Sequence, residues 1–97
     1  MDNLLKIGIS KETINEIEKN NSLGIVEDLD FKYKKVKEII DIFKMAGINN
    51  IEDFLIYKPQ IFYKKPEYIY EKMKTYNILE LRELLSEDIN NIDKILN

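Results

Sequence analysis

Apolar residues recur along this chain at intervals of three and four, the spacing that places them on one face of an α-helix. Ile14 and Ile17 follow this spacing near the start, and Ile92 and Ile95 follow it near the end. No segment of useful length alternates apolar and polar residues with the two-residue period of a β-strand. The pattern therefore predicts an all-α protein of about six or seven short helices, at least about 60% helical, with no sheet.

The apolar faces of these helices define a predicted core. The longest face lies in the middle of the chain, where apolar residues stand roughly at helical spacing from Phe31 to Met45. We expect such faces to be buried because removing apolar surface from water drives folding. The residues predicted to be buried are Leu5, Ile14, Ile17, Ile39, Ile40, Phe43, Ile51, Phe54, Leu55, Ile69, Met73, Leu81, Leu84, Leu85 and Ile92.

Polar residues mark where the first helices begin and end. Ser10 can cap a helix that runs from about 11 to 20, since its hydroxyl accepts from the free amides of the first turn. The segment 20–24 is rich in Asn, Ser and Gly, which indicates a turn or loop. We then expect Asp28 or Asp30 to begin the next helix.

Similar signals follow in the second half. Gly47 is a natural end for the long central helix. Asn49, with Glu52 three residues later, resembles a capping box that opens another helix. Pro66 suits the first turn of a helix, where no amide hydrogen is needed. Ser86, which precedes two acidic residues, is predicted to cap the last helix.

Three five-residue segments resemble one another, and each is followed by an amphipathic helix. They are 5–9, 44–48 and 74–78, and their fourth residues are Gly, Gly and Asn, separated by 39 and 30 residues. Gly and Asn are the residues that best tolerate the left-handed conformation closing a helix. We therefore expect Gly47 and Asn77 in that conformation, and the period predicts a compact helical-repeat or solenoid-like bundle.

Composition limits the class of protein and its chemistry. A chain of 97 residues with 44% hydrophobic and 34% charged residues fits a single globular domain, 1–97. It has no Cys and no His, which excludes disulfides, thiolate metal sites and catalytic groups built on either residue. The three glycines stand apart, so no glycine-rich phosphate loop is present. We expect no enzyme, no metal site and no cofactor.

The chain also lacks the sequence signals of membrane insertion and export. No apolar run approaches the ~20 residues of a membrane span. The amino-terminal residues lack the basic start and apolar stretch of a signal peptide. We therefore expect a cytoplasmic protein that does not enter the membrane.

Charge and aromatic residues are unevenly distributed. Residues 1–31 carry a net charge of −4, residues 32–74 one of +4, and residues 75–97 one of −3. All ten aromatic residues lie between Phe31 and Tyr76. Lysine neutralises phosphate groups, and tyrosine rings can stack on unpaired bases for about 1–3 kcal/mol each. The middle of the chain is thus a candidate nucleic-acid-binding segment.

The same middle segment has a purely structural interpretation, in which half-buried tyrosines form the core margin under a solvated lysine face. On the functional interpretation, the central lysines and tyrosines contact DNA or RNA, and steps of three and seven residues put several of them on shared helix faces. The candidate nucleic-acid-binding residues are Lys32, Lys34, Lys35, Lys37, Lys44, Lys64, Lys65, Lys72, Tyr33 and Tyr63.

The segment 48–85 resembles the repeat of the mitochondrial transcription termination factor family. Pro59-Gln60-Ile61-Phe62 stands where that repeat has a Pro-x-Leu-Leu-like element, Ile69 and Met73 match helix positions, and Tyr76-Asn77-Ile78 matches the turn. The next helix matches at Leu81, Leu84 and Leu85. The resemblance implies stacked helical repeats that bind nucleic acid along a basic concave face. The chain differs from that family in its net charge of −3 and its single Arg.

Two short segments also resemble the helix-hairpin-helix motif, whose Gly-hydrophobic-Gly hairpin offers backbone amides to a phosphate. They are Gly8-Ile9-Ser10 and Gly47-Ile48-Asn49, which carry Ser and Asn in place of the second Gly. A helix end that meets the start of the next helix explains the same residues. Two functions therefore remain open, a nucleic-acid-binding helical module and a protein-interaction or structural helical domain that acts as a small regulator or assembly partner.

Overall fold

Residues 2–97 are described in a computed structural model, and they confirm the all-α prediction. The described chain is 76% helical and contains no strand. Its radius of gyration of 12.8 Å matches the ~13 Å of a compact 100-residue domain. The helices are α1 (Asp2–Lys6), α2 (Lys11–Asn20), α3 (Leu23–Phe31), α4 (Tyr33–Met45), α5 (Ile51–Tyr57), a 3-10 helix (Pro59–Tyr63), α6 (Pro66–Met73), α7 (Ile78–Glu87) and α8 (Asn91–Leu96).

The core forms around α4, the longest helix. Phe43 is fully buried and meets the ring of Phe54 edge to face at 5.2 Å, with Phe62 at 6.2 Å. Helix α4 packs against the 3-10 helix and α6, α2 packs on α5, and α6 packs on α8. Of the fifteen residues predicted to be buried, all but Leu5 and Leu84 are buried.

The two exceptions have a common cause in helix phase. Leu5 is 46% exposed, whereas its neighbour Leu4 is fully buried. Helix α1 has only five residues, so its spacing cannot show which leucine faces inward. Leu84 is half-buried because Leu81 and Leu85 take the inner face of α7.

The two glycine hairpins have the same backbone geometry. Gly8 and Gly47 have φ values of +95° and +77°, and no other described residue has a positive φ. In each hairpin the next residue donates its amide hydrogen five residues back, from Ile9 to the Leu4 carbonyl at 3.1 Å and from Ile48 to the Phe43 carbonyl at 3.0 Å. These are Schellman closures, in which the paired apolar residues are buried together. The left-handed prediction for Gly47 is confirmed.

The corresponding prediction for Asn77 is wrong. Asn77 has φ −65° and ψ 137°, and its side chain caps α7 by accepting from the amides of Leu79 and Glu80. The end of α6 is closed without a left-handed residue, because Thr75 Oγ1 donates to the Lys72 carbonyl at 2.8 Å. The third segment therefore does not share the hairpin, and a repeat of three units stays a prediction.

The helix start predicted at Asp28 or Asp30 is wrong. Asp28 and Asp30 lie inside α3, which begins at Leu23 after Ser22 in an N-cap conformation. The predicted loop at 20–24 is confined to 21–22, because α2 ends at Asn20 and α3 begins at Leu23. Gly24 is tolerated in the first turn, and the buried Val26 and Leu29 hold α3 to the core. This additional helix raises the number of α-helices in the described chain to eight.

Two other predicted caps are also wrong. The residue that precedes α5 is Asn50 rather than Asn49, and its side chain donates to the Leu85 carbonyl at 3.3 Å instead of capping the helix. Ser86 lies inside α7, where its hydroxyl donates to the Arg82 carbonyl at 2.7 Å. The predictions for Ser10 and Pro66 are confirmed, since Ser10 accepts from the Thr13 amide and Pro66 is in the first turn of α6.

Candidate nucleic-acid interface

Two clusters of lysine and tyrosine side chains, joined where Lys64 follows Tyr63 in the chain, form a basic surface that we call the Lys/Tyr surface. Its six residues lie on or next to α4, the 3-10 helix and α6. It is positioned by buried neighbours on each element. Ile61 and Phe62 anchor the 3-10 helix in the core, and Ile69 and Met73 anchor α6. The members of the Lys/Tyr surface are Lys32, Lys35, Tyr63, Lys64, Tyr68 and Lys72.

Tyr63 joins the start of α4 to the 3-10 helix. The ammonium group of Lys32 lies over its ring, 4.8 Å from the centroid. Lys35 Nζ donates a long hydrogen bond of 3.4 Å to the Tyr63 carbonyl oxygen. An ammonium group above an exposed ring gains about 0.5–1 kcal/mol, so the ring holds Lys32 in place.

The hydroxyl group of Tyr63 points the other way, toward α3. It donates weakly to the Ile25 carbonyl oxygen at 3.5 Å. Burial raises the pKa of Tyr63 above its ordinary value of 10.0, and the neighbouring Asp28 carboxylate raises it further. Tyr63 is therefore neutral at physiological pH, and its ring is fixed from below by α3.

Tyr68 organises the second part of the surface. Lys64 and Lys72, four residues before and after it, each place an ammonium group 5.5 Å from its ring centroid. The Tyr68 hydroxyl donates to the carbonyl oxygen of Leu96, and Lys72 Nζ donates to that of Asn97 at 3.2 Å. The contact between α6 and α8 thus fixes the position of the ring.

Three lysines of the Lys/Tyr surface form no ion pair with the described residues. Within residues 2–97, no carboxylate lies within 4.0 Å of the ammonium groups of Lys32, Lys35 and Lys64. Four lysines outside this surface do form ion pairs, and Glu71 raises the pKa of Lys74 through a hydrogen bond and its charge. Those pairs are Lys19–Glu16 at 3.5 Å, Lys37–Asp41 at 2.9 Å, Lys58–Asp93 at 2.7 Å and Lys74–Glu71 at 2.9 Å.

The structure does not bring the remaining predicted residues into this contact network. Lys34 and Lys37 lie on the outer face of α4, about 100–160° around the helix from Lys35. Lys44 is about 18 Å along α4 from Lys32, at 1.5 Å per residue, and lines a small cavity beside Gly8.

The last two predicted residues lie at the margin of the Lys/Tyr surface. Lys65 is exposed immediately before α6, and Tyr33 is half-buried at the start of α4. Tyr68 is the member that the sequence-based set omitted. The four-residue spacing of Lys64, Tyr68 and Lys72 was the signal that could have found it.

An apolar groove lies on the opposite flank of α6. Met45 is 82% exposed, Ile78 54% and Tyr70 51%, and the three line a groove of about 80 Å³ with Ile42 and Met73. Residues two apart on a helix do not share a face, which separates Tyr70 from Tyr68. Helix α6 therefore divides a basic surface from an apolar one.

Other features give no second cluster of reactive groups. No three carboxylates of residues 2–97 come close enough together to hold a metal ion. No helix in the described chain has the length and apolar character needed to cross a membrane. Comparison with protein-family models, curated proteins and solved structures finds no match to this chain. The two family resemblances therefore stay predictions.

Proposed function

We propose that this chain is a non-enzymatic nucleic-acid-binding domain whose Lys/Tyr surface contacts the ligand. The observation that carries the proposal is the convergence of Lys32, Lys35 and Lys64 on one surface without carboxylate partners. When unpaired ammonium groups neutralise phosphates, the counterions condensed on the nucleic acid are released. This release is the main source of affinity in nonspecific binding.

Two physical features support this proposal despite the net charge of −3. First, exposed charges separated by more than ~8–10 Å are largely screened at physiological salt, so the carboxylates that lie farther away than this repel the ligand weakly, whereas Asp28, which neighbours Tyr63, does not belong to that group. Second, Tyr63 and Tyr68 restrict the lysines before binding. An immobilised lysine loses less side-chain entropy on binding, and that loss costs up to about 1.5–2 kcal/mol for a free side chain.

The test compares two triple variants of equal charge. The first changes Lys32, Lys35 and Lys64 to Gln, and the matched control changes Lys34, Lys37 and Lys44 to Gln. Each lowers the net charge from −3 to −6, because three positive charges are removed. Fluorescence anisotropy with labelled DNA and RNA, over a salt series, measures binding, and circular dichroism verifies that both variants remain helical.

We expect the surface variant to lose at least about tenfold in affinity and to reduce the salt slope by roughly two to three, one for each phosphate contact. The control variant should change both quantities much less. Equal losses in the two variants would show that only net charge matters. The absence of binding by the parent protein at low salt would end the proposal.

Protein interaction is the second candidate function, and the apolar groove is the observation that favours it. Contiguous exposed apolar surface is uncommon on a monomer and marks contact sites. Met45 protrudes at the rim of the groove, beside Ile42, Tyr70 and Ile78. A second copy of the chain fits this geometry, since each copy supplies both the protruding side chain and the groove.

Sedimentation equilibrium tests this second candidate. The parent protein should self-associate, and Met45→Gln should shift the equilibrium toward the monomer. Leu23→Gln is the matched control, because Leu23 is also exposed but lies outside the groove. A monomeric parent protein at the highest soluble concentration would exclude the second copy as the occupant.

A further inference from the structure

We infer that the Lys/Tyr surface recognises the phosphate backbone of the nucleic acid and not its bases, so that its tyrosines position lysines rather than stack on nucleotides. This inference rests on the proposed function and specifies the part of the ligand that is bound. Contacts to the backbone alone make binding independent of the nucleotide sequence, and they predict binding to a sugar-phosphate backbone that carries no bases.

The geometry of Tyr63 argues against stacking. Its ring is half-buried, its hydroxyl points toward α3, and Lys32 lies over it at 4.8 Å. A base needs an open ring face of its own size, as in single-strand-binding proteins whose aromatic rings form stacking platforms. Tyr63 offers no such face unless Lys32 leaves it, and that movement would remove a cation from the surface.

Tyr68 is more accessible but is committed in the same way. It is 40% exposed, and two ammonium groups lie 5.5 Å from its ring centroid. Its hydroxyl is bonded to the Leu96 carbonyl oxygen, which prevents the ring from swinging outward. A stacked base would therefore displace Lys64 or Lys72, the groups that attract the phosphates.

The exposed tyrosines elsewhere strengthen this distinction. Tyr57 is 56% exposed and Tyr70 is 51% exposed, yet neither belongs to the Lys/Tyr surface. Tyr57 ends α5, and Tyr70 lies on the other flank of α6 beside the apolar groove. Lys74 Nζ lies 5.6 Å from the Tyr70 ring centroid, but Lys74 is paired with Glu71. Neither of these exposed rings therefore has an unpaired lysine of the Lys/Tyr surface over it.

The test uses two single-stranded probes of equal charge, an oligo(dT) of about 20 nucleotides and an abasic deoxyribose-phosphate strand of the same length. Fluorescence anisotropy at low salt measures both affinities with the full chain. We expect the abasic strand to bind within about threefold of oligo(dT), with the same salt slope. If bases contributed stacking, the abasic strand would bind more than about tenfold more weakly.

Three single variants separate positioning from stacking. Tyr68→Leu removes the ring and should weaken both probes by the same factor, about threefold or more, because Lys64 and Lys72 lose their support. Tyr68→Phe keeps the ring and should retain most of the affinity. Tyr57→Leu, the control at an exposed tyrosine outside the surface, should leave both affinities unchanged.

The outcomes distinguish this inference from the proposed function. Binding of oligo(dT) with little binding of the abasic strand overturns the inference and leaves nucleic-acid binding intact. A loss confined to oligo(dT) in Tyr68→Leu has the same consequence. Failure of the parent protein to bind either probe overturns the proposed function and this inference with it.

Discussion

The two glycine hairpins and the Asn77 junction have similar sequences but different structures. Gly8 and Gly47 close their helices in the left-handed region, and α2 and α5, the helices that follow them, pack on each other. Asn77 instead opens the next helix. An L-residue pays a steric cost at positive φ that Gly does not, whereas Asn is also a strong N-cap. Asn therefore takes the capping position when the chain allows it.

The largest expected effect contrasts the cores beneath the two hairpins. Phe43→Ala should lower the free energy of unfolding by about 3–5 kcal/mol, because Phe43 is fully buried against two other rings. Leu4→Ala, at the same position of the first hairpin, should cost about 2–3 kcal/mol, since α1 lies at the edge of the bundle. Urea denaturation measures both. An equal loss would mean that the first hairpin is as central as the second.

The next effect concerns the glycines themselves. Gly47→Ala should cost about 1–3 kcal/mol, since Ala is strained at φ +77° and its Cβ would lie 3.0 Å from Arg82 Nε. Gly8→Ala should cost less, about 1–2 kcal/mol, because no atom lies within 4 Å of its Cβ position. Gly24→Ala, inside α3 with no positive φ, serves as the control.

We expect Gly24→Ala to stabilise the protein by up to about 1 kcal/mol, the helix preference of Ala over Gly. Thermal and urea denaturation of the three variants gives the ranking. If Gly47→Ala proved as harmless as Gly24→Ala, the left-handed closure at Gly47 would be wrong.

A smaller effect decides the role of Asn77. Asn77→Ala should destabilise by about 1 kcal/mol through loss of the cap on the Leu79 and Glu80 amides. Asn77→Gly should destabilise by only a few tenths of a kcal/mol. The repeat interpretation of the sequence predicts instead that Asn77→Gly is neutral or slightly stabilising. A stabilised Asn77→Gly protein would therefore support a third left-handed hairpin at this junction.

The smallest expected effect is the pH dependence of stability that arises from Tyr63, whose hydroxyl contacts α3. Its pKa is raised by burial first and by Asp28 second. A raised pKa in the folded state favours the protonated phenol, so its stabilising contribution is present below about pH 10 and is lost as pH rises through the folded pKa. Urea denaturation between about pH 8 and pH 11 should show a steeper decline for the parent protein than for Tyr63→Phe.

Much of the fold could be predicted because helical spacing reports burial directly. The core residues predicted in α2, α4, α5 and α6 are all buried, since each helix is long enough or apolar enough to define a face. The central face was predicted to be too long, because Phe31 and Met45 at its ends are 83% and 82% exposed. The helix boundaries were harder. Ser22, Asn50 and Asn90 precede helices where Asp28, Asn49 and Ser86 were expected to begin them. Several Asn, Ser and Asp residues compete as caps in each turn, and packing selects among them.

The candidate site, like the fold, could be predicted only in part. The amino-acid sequence alone shows that the middle of the chain is basic and aromatic, and that Lys64 and Lys72 stand four residues on either side of Tyr68. Local spacing accounts for the contact between Tyr68 and Lys72, because residues four apart meet on a helix, whereas Lys64 reaches the ring from the extended segment before α6.

Which lysines share a surface depends on how distant segments of the chain pack. Lys35 meets the Tyr63 carbonyl across 28 residues, and Lys72 meets that of Asn97 across 25, so both contacts depend on how α4, α6 and α8 pack. Packing likewise left Lys34 and Lys37 on the outer face of α4. Charge is a property of each residue, but its convergence depends on contacts between distant segments, which no local pattern encodes.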